Sequence, residues 1–173
     1  MNFEIIPRLY LGSIDQAYQF DFIKKYNIHV IFNCAYDIQN KFDDNLLSML
    51  DPKSDFYQWL NNNKITYYNI PLQIYNNDPE INNNNILYFY NLLPKYVHNI
   101  KEEYESGKNI LIHSLSGTQR SYSILVAFLM FYCKWNLSNT IQFINYKKNI
   151  KSLDMTHLFY YQALVKYEKD INL

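Results

Sequence analysis

The chain has 173 residues, the length of one ordinary domain, and we expect residues 1–173 to form a single unit. Its 16 basic side chains equal its 16 acidic ones, so it lacks the basic excess of proteins that bind nucleic acid or anionic membranes. Two cysteines, Cys34 and Cys133, are too few for a disulfide scaffold or a four-cysteine zinc site. Composition therefore predicts partners that are neither nucleic acid nor membrane.

The sequence shows no pattern typical of a secretion signal or a membrane span. Its first residues lack a basic stretch followed by an apolar one. The longest apolar run, residues 124–133, is about half the length that a bilayer crossing needs. We therefore expect a soluble intracellular domain, in the cytoplasm or the nucleus.

Short strand-like runs alternate with amphipathic, helix-like stretches along the chain. Apolar, β-branched runs typical of buried strands occupy residues 29–35, 64–72 and 108–114. Apolar residues at helical spacing occupy residues 12–26, about 80–105, about 118–133, 138–146 and about 155–169. Strands separated by helices need crossover connections. This order predicts an α/β fold, in which a twisted, mostly parallel sheet of about four to five strands carries helices on both faces.

Residues 36–63 fit this alternation less well. The segment is polar, contains the Asp51–Pro52 pair, and shows two short helical patterns. We interpret it as a surface insertion, and a functional lid is the alternative interpretation.

The most informative segment is the strand, loop and helix pattern of residues 110–130. A buried strand ends at His113, Gly117 lies in a tight loop, and a long apolar helix begins at about residues 118–121. The backbone N–H groups of such a loop, together with the helix N-terminus, form a site for an anion such as phosphate. Arg120 lies in the first helical turn, where its planar guanidinium can bind two phosphate oxygens.

Two other phosphate-binding patterns do not match this loop. A Walker-type loop needs a second glycine and a Gly-Lys-Ser/Thr ending, whereas the segment 113–121 contains Gly117 alone. A dinucleotide-binding fingerprint also needs several glycines. The alternative interpretation of this segment is an ordinary strand-to-helix turn that binds no ligand, with Arg120 as an ordinary helix residue.

The segment from His113 to Ser121 resembles the His-Cys-x5-Arg-Ser/Thr signature of the cysteine-dependent protein phosphatases, with Ser114 in place of the cysteine. Further segments resemble the dual-specificity branch of that family: residues 5–17, 29–35, 67–72, 127–130 and 159–168. The resemblance covers nearly the whole chain except residues 36–63. A classical tyrosine-specific phosphatase domain would be much longer, so that branch is disfavoured.

The resemblance implies a role for each position of the signature. The family's cysteine is a thiolate nucleophile that forms a phospho-cysteine, and the loop amides, helix dipole and arginine lower its pKa. By this resemblance Arg120 holds the equatorial phosphate oxygens, Ser121 helps the thiolate leave, and His113 orders the loop by hydrogen bonds. The implied binding residues for a phosphate or sulfate ion are Ser114, Leu115, Ser116, Gly117, Thr118, Gln119 and Arg120.

Ser114 removes the nucleophile that this mechanism needs. The pKa of a hydroxyl lies far above that of a thiol, and we expect no neighbouring side chain to act as its general base. The loop amides remain, so the sequence predicts phosphate binding without turnover. Ser114 is explained either by a natural pseudophosphatase or by a Cys-to-Ser form of an active enzyme.

A second catalytic group, the general acid, is also in question. Active relatives place an aspartate shortly after the strand that residues 67–72 resemble, and the matching position here is Ile74. Asp78 is a candidate acid if its loop is longer than usual. The alternative is that Asp78 and Pro79 begin the next helix, as its N-cap and first residue.

Three functions compete at this stage. The first is a pseudophosphatase that holds a phosphorylated protein or peptide, and the second is a protein phosphatase that is active when residue 114 is cysteine. A phosphatase of lipid or RNA phosphates ranks last, because four loop positions are uncharged: Leu115, Ser116, Thr118 and Gln119. No cofactor is expected, and the histidines show no spacing typical of a metal site.

Overall fold

Five short strands form one sheet in a computed structural model that describes residues 3–35, 55–73, 77–150 and 158–172. The strands are β1 (Glu4–Ile6), β2 (Leu9–Gly12), β3 (Val30–Asn33), β4 (Thr66–Asn69) and β5 (Ile110–His113). Their order across the sheet is β1-β2-β5-β3-β4. β1 pairs with β2 in antiparallel fashion, and all the other pairs are parallel. The predicted mostly parallel α/β sheet is therefore confirmed.

Seven helices are described between and after these strands. They are α1 (Ile14–Ala17), α2 (Phe20–Lys25), α3 (Asp55–Asn62), α4 (Pro79–Glu105), α5 (Arg120–Cys133), α6 (Leu137–Lys148) and α7 (Tyr161–Asp170). The predicted helix over residues 12–26 is two short helices, because Gln19 is extended and ends the first helix early. The last helix was predicted from about residue 155 but begins at Tyr161, since residues 158–160 are not helical; the prediction for residues 155–157 lies outside the described residues.

The sheet has an apolar cluster on each face. The larger cluster packs α4, α5, α6 and α7 against the sheet, and the smaller one packs α1, α2 and α3. Central strand β5 contributes to both, with Ile110 and Ile112 in the larger cluster and Leu111 in the smaller one. Successive side chains of a strand point to opposite faces, so a strand covered on both sides is apolar throughout.

The predicted surface insertion at residues 36–63 is described from residue 55 onward. That part is α3, and its Phe56 and Leu60 are 5% and 1% exposed within the smaller cluster. These side chains are four residues apart and so lie on one face of the helix. This part of the segment thus belongs to the core, although most of its other side chains are polar.

Helix α5 runs through the middle of the larger cluster. Every residue from Arg120 to Met130 is buried. Among the described residues, no single helix is long and apolar enough to cross a membrane, and α5 with α6 reaches that composition only as a pair bent by 118°.

The parallel strands end level with one another, and this edge positions the site. Gly12 and Asn33 both align with His113, and Asn33 aligns with Asn69. The segments that follow these four residues therefore meet at one edge of the sheet, where α/β folds commonly bind ligands.

Candidate functional site

The loop between β5 and α5, residues 114–119, packs directly on the turn between β2 and α1. The backbone N–H of Ile14 donates to the carbonyl oxygen of Leu115 at 3.2 Å. Gly117 has a φ of +76°, and a Cβ atom added to it would lie 2.6 Å from the carbonyl oxygen of Gly12. Both the left-handed backbone and the lack of space require glycine at this position.

Ser114 and Ser121 form a buried pair at the base of the loop. Their Oγ atoms lie 2.9 Å apart, and the side chains are 1% and 0% exposed. The backbone N–H of Gly117 also donates to Ser114 Oγ at 3.2 Å. In the described part of the chain, no carboxylate or imidazole is a hydrogen-bond partner of the Ser114 hydroxyl, so nothing there can remove its proton as a general base.

His113 is fully buried on the other side of β5. Its ring stands edge-on to the ring of Tyr18 with centroids 6.2 Å apart, on the face that holds Leu111 and the smaller cluster. Burial lowers the pKa of His113 to about 3, a backbone hydrogen bond with Ser114 acts in the opposite direction, and the charge of Arg120 lowers the pKa further. The imidazole is therefore neutral near pH 7.

His113 was expected to order the loop by hydrogen bonds, and this role stays a prediction. The imidazole lies close enough to the backbone of Ser114 for a hydrogen bond there to raise its pKa. Within the described residues, neither ring nitrogen has a hydrogen-bond partner of ordinary geometry.

Arg120 is the first residue of α5, and its side chain is buried although it is charged. It is 4% exposed, and its Nη1 donates to the carbonyl oxygen of Leu72 at 3.2 Å. The guanidinium thus connects the helix N-terminus to the chain that leaves β4. Its charge also reaches the fully buried Cys34, whose pKa is raised by burial and lowered in part by Arg120.

A cavity of about 740 Å³ opens over the loop and Arg120. It is lined by residues 114–116, Gln119, Arg120, Gln73, Asn82, Ile86 and residues 158–162. Among the described residues that line it, Arg120 is the only charged one. A single buried cation within neutral amide and aromatic side chains suits one anionic group carried on an uncharged, largely apolar body.

The remaining predicted loop residues lie at the outer side of the loop. Ser116 and Thr118 are exposed, and their hydroxyl oxygens are 2.7 Å apart. Leu115 is half-buried and Gln119 is both the last loop residue and the N-cap position of α5. The structure therefore brings Ser114, Ser121 and Arg120 to the base of the site.

Asp78 lies at the N-terminus of α4. Its side chain accepts a hydrogen bond from the backbone N–H of Glu80 at 2.8 Å, and Pro79 is the first helical residue. This confirms the N-cap interpretation. Asp78 is exposed and is not among the described residues that line the cavity, whereas Asn82, one turn further along α4, is among them. Ile74 lies outside the described residues.

Sequence reasoning missed a further part of the cavity lining. This part, the aromatic wall, is formed by Leu158, Phe159, Tyr160 and Tyr161, which were predicted to lie within the last helix. Its aromatic side chains were visible in the sequence, but no local pattern connects them with a loop about 40 residues away.

The family model for the catalytic domain of dual specificity phosphatases matches residues 9–170. The chain is 25% identical over 173 residues to dual specificity protein phosphatase Mpk3 of Drosophila melanogaster, covering 98% of this chain and 34% of that protein. It is 27% identical over 170 residues to protein-tyrosine-phosphatase IBR5 of Arabidopsis thaliana, covering 97% and 51% respectively. The chain thus spans about a third to a half of the length of these relatives.

Solved structures show the same fold. Human DUSP28 matches with a TM-score of 0.68 at 15% identity, covering 98% of this chain and 94% of that one. The human tyrosine phosphatase-like serine/threonine/tyrosine-interacting protein matches with a TM-score of 0.68 at 17% identity, covering 96% and 95%. These likenesses establish the fold, and the family model spans nearly the whole chain, so this protein belongs to the family of dual specificity phosphatase catalytic domains.

Proposed function

We propose that this domain binds phosphorylated tyrosine, serine or threonine side chains of a protein or peptide at residues 114–120, and that with Ser114 it does not hydrolyse them. The observation that carries the proposal is the buried Arg120 beside a loop whose nucleophile position is a serine without a general base. A phosphate or sulfate ion would occupy the same place as the phosphoryl group.

The absence of turnover follows from the chemistry of Ser114. Its hydroxyl has Ser121 and the N–H of Gly117 as partners, and neither is a base at neutral pH. No carboxylate is among the described residues that line the cavity, so these residues provide no acid for the leaving group. Binding needs neither group, because the loop N–H groups and Arg120 supply the attraction.

The alternative is an active phosphatase that works through a phospho-cysteine when residue 114 is cysteine. Ser121 supports this alternative, because its hydroxyl lies 2.9 Å from the side-chain oxygen of residue 114 and could donate to a thiolate there. The serine then represents either a substituted enzyme or a natural pseudophosphatase.

Phosphatases of lipids or RNA are the least favoured class. Their substrates carry several negative charges, and among the described residues that line the cavity Arg120 alone is cationic. A protein-borne phosphomonoester needs no second cation in the cavity.

The deciding experiment measures phosphate binding and phosphate-ester hydrolysis in variants of residue 114 and Arg120. Ser114→Cys is tested for hydrolysis of an aryl phosphate between pH 5 and pH 8, with Ser114→Cys/Arg120→Ala as the matched control. In parallel, calorimetry measures orthophosphate binding by the parent protein and by Arg120→Ala. We expect the parent to bind phosphate without turnover and Arg120→Ala to lose binding.

The outcomes separate the candidates. Turnover by Ser114→Cys that disappears in the double variant supports the active-enzyme alternative. A folded Ser114→Cys protein that binds phosphate but does not hydrolyse the ester supports a natural pseudophosphatase. Equal phosphate affinity in the parent and in Arg120→Ala would overturn the proposal.

A further inference from the structure

We propose that Gln119 is a positioning residue that makes this site prefer aryl phosphates over alkyl phosphates. It does so by tying the aromatic wall to the loop that binds phosphate. This inference rests on the proposed function, since it concerns the selectivity of the same cavity.

The side chain of Gln119 joins two separate segments of the chain. Its Oε1 accepts a hydrogen bond from the backbone N–H of Phe159 at 3.0 Å. Its own carbonyl oxygen accepts from the N–H and the Oγ of Ser123 at 2.9 and 2.8 Å, which fixes the residue at the start of α5. Gln119 therefore transmits the position of the loop to the turn that carries the aromatic wall.

The next residue of that turn is held from the opposite direction. The hydroxyl of Tyr160 donates to the carbonyl oxygen of Gln73, and its ring stacks on Phe89 of α4 with centroids 4.1 Å apart. Tyr160 is 1% exposed. The turn is thus attached to the loop through Phe159 and to the end of β4 through Tyr160.

The two attachments converge on the groups that surround the phosphate position. Gln73 follows Leu72, whose carbonyl oxygen accepts from Arg120. The guanidinium, the segment 72–73 and the aromatic wall therefore form one connected arrangement. A shift of the aromatic wall therefore changes the distance between its aromatic side chains and the guanidinium of Arg120.

A ring attached to the phosphate would depend on that distance, whereas a short alkyl group would not. Aromatic side chains contribute through offset or edge-on contacts that need defined separations. Ethyl phosphate has the same charge as phenyl phosphate and reaches little of the wall. The ratio of the two affinities therefore reports on the position of the wall, while each affinity alone also reports on the loop.

The test compares two substitutions at this position. Gln119→Met removes the acceptor at nearly constant volume, whereas Gln119→Glu keeps an acceptor oxygen and adds a negative charge beside the anion. Gln142→Met, on the exposed side of α6, is the matched control. Calorimetry measures binding of phenyl phosphate, ethyl phosphate and orthophosphate, and hydrogen exchange measures protection of the Phe159 amide.

We expect Gln119→Met to lower the ratio of phenyl to ethyl phosphate affinity about fivefold. This factor corresponds to the net free energy of one ordinary hydrogen bond. Protection of the Phe159 amide should be lost in the same variant. Gln119→Glu should bind all three ligands more weakly but keep the parent ratio and the amide protection. Gln142→Met should behave as the parent.

Two outcomes would overturn the inference while leaving the proposed function intact. They are an unchanged ratio in Gln119→Met, whether or not both affinities fall, and a lowered ratio in Gln119→Glu with the amide still protected. A parent protein that binds none of the ligands removes both proposals. If Gln119→Met does not fold, Tyr160→Phe replaces it, because loss of that hydroxyl releases the same turn and predicts the same fall in the ratio.

Discussion

The base and the aromatic wall of the cavity are built in different ways. The base is a continuous stretch, residues 114–121, in which Gly117, Ser114 and Ser121 contact one another or the adjacent turn. The wall depends on partners 40 and 87 residues away in the sequence, through Gln119 to Phe159 and Tyr160 to Gln73. Neighbouring residues of one loop have fixed contacts, so a substitution there removes a contact outright. Segments that are distant in the sequence can instead move gradually relative to one another. We therefore expect abrupt losses at the base and graded effects at the wall.

The largest effect is expected at Gly117, where a side chain would break the base outright. In Gly117→Ala, the added Cβ would lie 2.6 Å from a backbone oxygen at a φ of +76°. We expect a loss of at least about 2 kcal/mol in the free energy of unfolding and no measurable phosphate binding. Urea denaturation and calorimetry provide the measurements.

Gly107→Ala is the control for backbone strain alone. Gly107 has a φ of +86°, but a Cβ there would meet no described atom within 4 Å. This variant should lose about 1 kcal/mol and keep its phosphate affinity. Equal stability losses in the two variants would show that the close approach of Gly117 to Gly12 does not contribute to the free energy of unfolding.

The second effect concerns the shape of the cation at the base. Arg120→Lys keeps the charge but removes the planar group that contacts Leu72. We expect orthophosphate affinity to fall about 10- to 100-fold. Arg8→Lys, at the only other arginine of the chain, should leave the affinity unchanged, because Arg8 contacts Tyr104 and not the cavity. Full affinity in Arg120→Lys would mean that charge alone binds the anion.

The third effect is a pH dependence of stability that arises at His113, on the face of β5 that holds the smaller cluster. The folded pKa of His113 is about 3, below the ordinary value of 6.5, so protons bind more tightly to the unfolded chain. Its contribution to stability is complete above pH 6.5 and is lost as the pH falls toward 3. The expected loss is up to about 1.4 kcal/mol per pH unit in that window.

Comparison with a variant isolates the His113 contribution from that of the carboxylates. His113→Asn should show a flatter fall of unfolding free energy between pH 6.5 and pH 4 than the parent. His98→Asn, at an exposed histidine of α4, is the control for the substitution itself. Parallel curves for the parent and His113→Asn would contradict the burial of a neutral imidazole.

The smallest effect is expected at the N-terminus of α4. Asp78→Ala removes the acceptor for the N–H of Glu80 and should cost about 1 kcal/mol of unfolding free energy. Asp78→Asn keeps a capping oxygen and should cost much less. If Asp78→Asn instead lowered the turnover of a Ser114→Cys enzyme at unchanged stability, Asp78 would be a general acid as well as a cap.

The same contrast explains how much could be predicted from the sequence. The order of β3, β4, β5 and the helices around them follows from hydrophobic periodicity, whereas the segment that holds β1 and β2 was identified only through the family resemblance of residues 5–17. The neighbourhood of Ser114, Gly117 and Arg120 follows from their spacing in one segment. The break at Gln19 was not predictable, because it interrupts an otherwise helical pattern without glycine or proline.

Long-range features were beyond sequence reasoning for a common reason. The face of β5 that His113 occupies follows from strand alternation, but the contact of its ring with Tyr18 does not, and the position of Phe159 depends on a hydrogen bond to Gln119. Neither contact leaves a periodic or local signal. Asp78 shows the opposite case, since a cap is determined by its own neighbours and was predicted as one of two interpretations.

The contact between Gly12 and Gly117 has a consequence for redesign of this domain. The chain has three glycines, and two of them meet at this one point. A mutational library that targets the cavity should hold both positions constant, since variation there tests foldability and not ligand choice. Ile86 and Gln162 line the cavity from helices outside this contact, so they are the positions at which new ligand preferences can be selected.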